Sequence, residues 1–199
     1  MDKAQKQLVD TYFRKRAIAT EQGSGMHFHP YEINYELKIG AKDINKLPRK
    51  TIVSMLINFP QWFDKLERPN ILNDFELGVL LSVQPQLIDR FKPERIHVLG
   101  DTPITVILSK QPQLVDRFDL SVLDHKDIAD ILSNQPSLYD KLGSNRFDHI
   151  DIAKVLEKQP SLVDKFNLDL LDHLDLIMIL NDQPELRDKL KPYMYKRNG

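Results

Sequence analysis

Three groups of residues in this chain have the side-chain types that metal or catalytic chemistry uses. His27 and His29 stand two apart with Glu32 three further on, a set of imidazoles and a carboxylate of the kind that holds a divalent ion. His125, His149 and His173 recur at intervals of 24 and 24. Asp64, Asp89, Asp116, Asp140, Asp164 and Asp188 also recur, each followed directly by Lys65, Arg90, Arg117, Lys141, Lys165 or Lys189. Paired carboxylates can act as general acid and base, and a ladder of alternating charge can recognise a charged partner. Which of these chemistries is available depends on the elements that carry the residues.

Those elements are written as a repeat. The strings FPQWFDKL, QPQLIDRF, QPQLVDRF, QPSLYDKL, QPSLVDKF and QPELRDKL align prolines at Pro60, Pro85, Pro112, Pro136, Pro160 and Pro184, with intervals of 25, 27, 24, 24 and 24. Four before each proline is leucine: Leu56, Leu81, Leu108, Leu132, Leu156 and Leu180. The position one earlier is apolar in every copy (Met55, Leu80, Ile107, Ile131, Val155, Ile179), and so is the position eight before the proline. Offsets of three and four place these residues on one helical face.

The start and stop of that helix are legible too. Asp124, Asp148 and Asp172 precede the apolar face and are followed three residues later by Asp127, Asp151 and Asp175, and Asn73 with Glu76 repeats the pattern. A short acceptor at the N-cap with an acid at the third helical position predicts a capping box. Leu47, Leu72, Leu99, Leu123, Phe147 and Leu171, just ahead of the cap, are placed to staple the first turn. After about ten residues the Gln-Pro step ends the helix, because proline lacks the donor and biases its predecessor away from helix. Proline then suits the first position of a second, shorter α or 3₁₀ helix, with apolar residues two and six beyond it. The longer link over residues 92–103 holds Pro93 and Pro103 and is expected to bulge without breaking the series.

A unit this small buries its apolar face only by stacking on its neighbours. The expected fold is therefore all-α: a right-handed α-solenoid of six short helix, proline corner, helix repeats over residues 43–191. Residues 1–42 form a distinct N-terminal helix and extended arm, and 192–199 a C-terminal tail. The period, the corner and the alternation of longer and shorter helices over residues 44–190 resemble leucine-rich-variant repeats, and more loosely HEAT-type repeats. The likeness is architectural, since this unit reads Q-P-x-L-x-D-[KR]-[FL] where the variant has Asn-Pro phrasing. The resemblance implies partner binding on an extended surface and no shared catalytic residues.

Against this frame the candidate chemistry contracts. Equivalent histidines in successive repeats stand about 8–10 Å apart, too far for one zinc ion, so His125, His149 and His173 read as first-turn polar residues. The acidic and basic columns read as a solvated ladder bridging neighbouring repeats, each exposed pair contributing at most about 1 kcal/mol. The partner-binding candidates are Asp116, Arg117, Asp140, Lys141, Asp164 and Lys165 on that ladder, with Tyr31 and Tyr35 in the arm. His27, His29 and Glu32 are similar to the cupin metal signature. Only Pro30 and Tyr31 separate His29 from Glu32, however, and too few residues lie outside the repeat for a barrel. No cofactor or metal is expected, and no G-x-S-x-G, Gly-rich phosphate loop or H-E-x-x-H occurs.

The arm itself has two parts. Leu8, Val9, Tyr12 and Phe13 sit at helical spacing, whereas Ile33, Tyr35, Leu37 and Ile39 alternate as a strand does. That segment pairs with another chain, hairpins, or is a helical, irregular first repeat. The 28 basic and 29 acidic residues leave a net charge of −1, so no nucleic acid or anionic membrane is expected as a partner. A charged N-terminus, no cysteine and no long apolar run predict a chain that is not secreted by a signal peptide and resides in the cytoplasm or an intracellularly assembled particle. The function expected is a non-catalytic protein-interaction scaffold. The alternatives are a structural subunit of a phage particle or other assembly, whose arm contacts a neighbouring copy, and a small metal-dependent enzyme at His27, His29 and Glu32.

Overall fold

A computed structural model describes residues 44–143 and 147–194, and the candidates His27, His29, Tyr31, Glu32 and Tyr35, with the alternating segment around them, lie outside those residues. Every regular element among the described residues is an α- or 3₁₀-helix. The chain divides into two compact units, Met1–Leu72 and Asn73–Gly199.

In the first unit, α1 (Arg49–Asn58) buries Ile52, Val53 and Leu56. Its last turn closes on the Phe59 N–H, which donates to the Met55 carbonyl. Pro60 then opens the 3₁₀-helix Pro60–Lys65, which packs back on α1 and buries Phe63. Asn45 fastens the following link, donating from Nδ2 to the Lys65 carbonyl at 3.0 Å and accepting from the Glu67 N–H at 2.9 Å.

The second unit repeats this plan. Its long helices are α2 (Asp74–Val83), α4 (Asp101–Leu108), α5 (His125–Asn134), α7 (His149–Lys158) and α8 (His173–Asp182), and each lies against the next one in the series. Four of the five start in a full capping box: Asn73 with Glu76, Asp124 with Asp127, Asp148 with Asp151, and Asp172 with Asp175. A cap of this kind is worth about 1 kcal/mol, because it satisfies N–H groups the helix cannot. α4 instead begins after Gly100 and carries Pro103 in its first turn, where a missing donor costs nothing.

Each long helix but α4 ends at the glutamine before the proline, whose ψ of 68–73° lies outside the helical range and breaks the run. The proline that follows sits at the first position of a 3₁₀-helix, as in Pro85–Arg90, Pro112–Arg117 and Pro160–Lys165. In the other two copies the 3₁₀ turn passes into α-helix, giving α6 (Tyr139–Leu142) and α9 (Arg187–Met194). The long link at 92–103 folds as a short helix, α3 (Pro93–His97), and Arg95 reaches back from it to Asp74 at 2.6 Å. The core follows the apolar columns, with Leu77, Leu80, Leu81, Ile107, Leu108, Ile131, Leu132, Val155 and Leu156 fully buried. Leu72, Leu99, Leu123, Phe147 and Leu171 are buried ahead of their helices, whereas Leu47, the first of that column, is half-buried.

Candidate protein interface

In the second unit the recurring polar residues meet their partners across the boundary between one copy and the next. The glutamine of the Gln-Pro step is the most regular. Gln111 donates from Nε2 to the Ser82 carbonyl at 2.7 Å, Gln135 to Ser109 at 3.0 Å, Gln159 to Ser133 at 2.9 Å and Gln183 to Glu157 at 2.6 Å. Each accepting carbonyl lies at the end of the preceding long helix, among the groups that have no partner within the helix. One side chain therefore ends its own helix and closes the C-terminus of the helix before it.

The histidine register does the corresponding work at the other end. His125 Nδ1 donates to Asp151 Oδ2 at 2.6 Å and His149 Nδ1 to Asp175 Oδ2 at 2.9 Å. Asp151 and Asp175 are the buried acids of the next copy's capping boxes. The hydrogen bond to Asp151 raises the His125 pKa above its ordinary value, with nearby Asp124 and Asp148 adding to it against some burial. The Asp151 N–H holds the Asp148 carboxyl low, and the Asp127 N–H does the same for Asp124. Asp127, in a copy whose predecessor offers Asp101 and Thr105 rather than histidine, is pushed up by burial. Thr105 Oγ1 donates to it at 3.3 Å.

These contacts bring two sets of three donor atoms within 4.8 Å of one another: His125, Asp148 and Asp151, and His149, Asp172 and Asp175. Their chemistry is that of a hydrogen-bonded joint. Asp148 and Asp151 already accept each other's N–H groups, at 2.9 and 3.3 Å, and both stand at a helix N-terminus, where the partial positive charge opposes a cation.

The charged columns named as partner-binding candidates form the third joint. Arg117 pairs with Asp89 at 2.7 Å, Lys141 with Asp116 at 2.6 Å, Lys165 with Asp140 at 3.1 Å, and Lys189 with Asp164. In each case the base belongs to the copy after its acid. All these side chains are well exposed, so each pair contributes at most about 1 kcal/mol. Lys165 also lies 5.3 Å above the Tyr139 ring, whose hydroxyl donates to the Lys165 carbonyl at 2.7 Å.

Two other positions take no part in the three recurring joints. Ten residues before the proline stand Lys50, Phe75, Thr102, Lys126, Ile150 and Leu174, and six before it Ser54, Val79, Val106, Asp130, Lys154 and Met178. These two positions change character from copy to copy, and they include the exposed apolar side chains Phe75 (60 % accessible) and Ile150 (61 %). One pair among them is joined, Lys154 to Asp130 at 2.6 Å. The repeat signal used to find the fold selects positions that stay the same and so passes over these.

No helix among the described residues is long and apolar enough to cross a membrane. No protein-family model, curated protein or solved structure matches the chain.

Proposed function

We propose that this chain is a non-catalytic protein-interaction scaffold, a right-handed α-solenoid that presents the outward face of its long helices to another protein. One observation carries the reading. The constant glutamine and the constant acid and base columns are spent on joining copies, whereas the outward positions vary and leave Phe75 and Ile150 more than half exposed. Stacked repeats use this division, with a constant framework and a variable surface. Large apolar side chains standing in water gain binding energy when a partner covers them.

On this reading Asp116, Arg117, Asp140, Lys141, Asp164 and Lys165 act as framework, and recognition falls to Phe75, Ile150 and the variable residues around them. The test is affinity capture from the native host with three baits: the full chain, a chain beginning at Lys42, and the full chain carrying Phe75→Ser and Ile150→Ser. The scaffold reading expects one set of captured proteins that the shortened chain keeps and the doubly substituted chain loses. Loss with the shortened chain and retention by the substituted one would overturn it.

A further inference from the structure

The joints of the second unit carry different charges. Eleven residues before each proline stand Asp74, Asp101, His125, His149 and His173, and nine before it Glu76, Pro103, Asp127, Asp151 and Asp175. The first of these positions reaches the second in the next copy: His125 meets Asp151 at 2.6 Å and His149 meets Asp175 at 2.9 Å. Between α4 and α5 the same rule sets Asp101 toward Asp127, acid on acid, and the charge of one acts on the other. The hydrogen bond left to Asp127 across this joint comes from Thr105, at the position that Gly78, Ala129 and Ala153 occupy in other copies, and at 3.3 Å it is longer than either histidine bond. α4 is also short, eight residues where α2 and α5 have ten, and its N-cap, Gly100, has no side chain to cap with. Like charges oppose a joint that opposite charges would hold.

We propose that the α4–α5 joint is a hinge in the second unit, loosened when Asp101 and Asp127 both carry charge. Hinges of this kind are a few positions that absorb the motion of the packed elements on either side, and they are drawn from the least stable contacts of a fold. Burial pushes the Asp127 carboxyl above its ordinary value, the Asp124 and Asp101 carboxylates add to it, and the Asp124 N–H and the Thr105 hydroxyl oppose it. On the other side of α5, Asp151 and Lys154 of α7 are taken up by His125 and Asp130. The folded chain therefore keeps a proton on Asp127 at pH values where the unfolded chain has released it. The joint is tightest below the unfolded aspartate value of about 3.9 and loosens as pH rises through the higher folded value, so at neutral pH it stands in its loose form. Phe75 lies in α2 and Ile150 in α7, on either side of the hinge. On the reading that these two meet a partner, the hinge sets the distance between them; the hinge itself does not depend on that reading.

The chain has no cysteine, so spin labels can be placed on introduced pairs without interference. Thr102→Cys with Lys126→Cys spans the hinge, and Lys126→Cys with Ile150→Cys spans the α5–α7 joint; all three positions are exposed and equivalent in their copies. At neutral pH the distance distribution of the first pair should be broader than that of the second. Asp101→His, which installs the histidine of the later joints opposite Asp127, should narrow the first distribution to the width of the second and leave the second unchanged. Asp127→Asn, which carries no charge and keeps an acceptor for the Asp124 N–H, should narrow it as well. Equal widths for the two pairs in the otherwise native chain would overturn the proposal. So would a first distribution that neither Asp101→His nor Asp127→Asn narrows. No partner is needed for these measurements, so their outcome is separate from that of the capture experiment.

Discussion

The joint between α2 and α4 and the joint between α5 and α7 solve one packing problem with different chemistry. In the first, Gly78 lets Pro103 seat directly on the helix, and the first turn of α2 is tied by Arg95 to Asp74. In the second, fully buried Ala129 stands at the position of Gly78, and a hydrogen bond from His125 to the buried capping acid Asp151 holds the helix N-termini together. Common to both is the glutamine that closes the preceding helix, Gln111 in one and Gln159 in the other. The difference separates what stacking requires, close approach and a satisfied C-terminus, from what each copy is free to vary.

The contrast is easiest to break at the close approach. Gly78→Leu should destabilise the chain by about 3 kcal/mol or more, at the upper end of overpacking costs. Ile177→Leu, at the equivalent position of α8, should change stability by less than about 0.5 kcal/mol, as a swap of similar volume on an accessible surface does. Urea unfolding of both variants checks the pair, and equal losses would mean that the spacing at Gly78 is not what limits the joint.

Removing the shared element comes next. Gln135→Ala leaves the Ser109 carbonyl at the end of α4 without its donor, and a part-buried acceptor so exposed costs about 1–2 kcal/mol. A substitution at exposed Gln113, which bonds only the neighbouring Gln111 side chain, should cost much less. Equal unfolding midpoints for the two variants would remove the glutamine from the account of the joint.

The histidine joint is sharpened by pH. Because the hydrogen bond to Asp151 raises the His125 pKa, the folded chain keeps that proton at pH values where the unfolded chain has released it. The stabilisation is therefore complete below the unfolded histidine value of about 6.5 and is lost as pH rises through the higher folded value. The urea midpoint of the native chain should fall across that window, and His125→Asn should flatten the slope. An identical slope in the variant would contradict the role given to His125.

The smallest effect is expected from the exposed ladder. Lys141→Ala should cost under about 1 kcal/mol, and less in high salt. A larger, salt-insensitive loss would show that the Asp116 pair does more than join two copies.

Much of this was legible beforehand, for identifiable reasons. The prolines, the invariant leucine four residues earlier and the capping boxes act within one copy, so their spacing is visible along the chain. Asp148 and Asp151 belong to one helix turn, and the box they form follows from their separation. The joints were harder to read because their partners are distant. His125 and Asp151 are 26 residues apart, and Gln159 bonds a backbone carbonyl, which leaves no mark in the residue types. The constancy of the glutamine pointed only to the proline step beside it. Lys141 stands next to Asp140 in sequence yet pairs with Asp116; the ladder between copies follows from the period, but the choice of partner needs the direction of stacking. The outward face was hidden for the opposite reason, since Phe75 and Ile150 occupy positions where no repeat signal exists.

The central claim is that constant positions hold the copies together and variable ones meet the partner. It is tested most directly by measuring urea stability and partner capture on the same two variants, Gln135→Ala and the Phe75→Ser, Ile150→Ser double substitution. The account predicts that the first lowers the unfolding midpoint and keeps the captured protein, while the second keeps the midpoint and loses the captured protein. The reverse pattern, with binding lost through Gln135 and stability through Phe75 and Ile150, would contradict it.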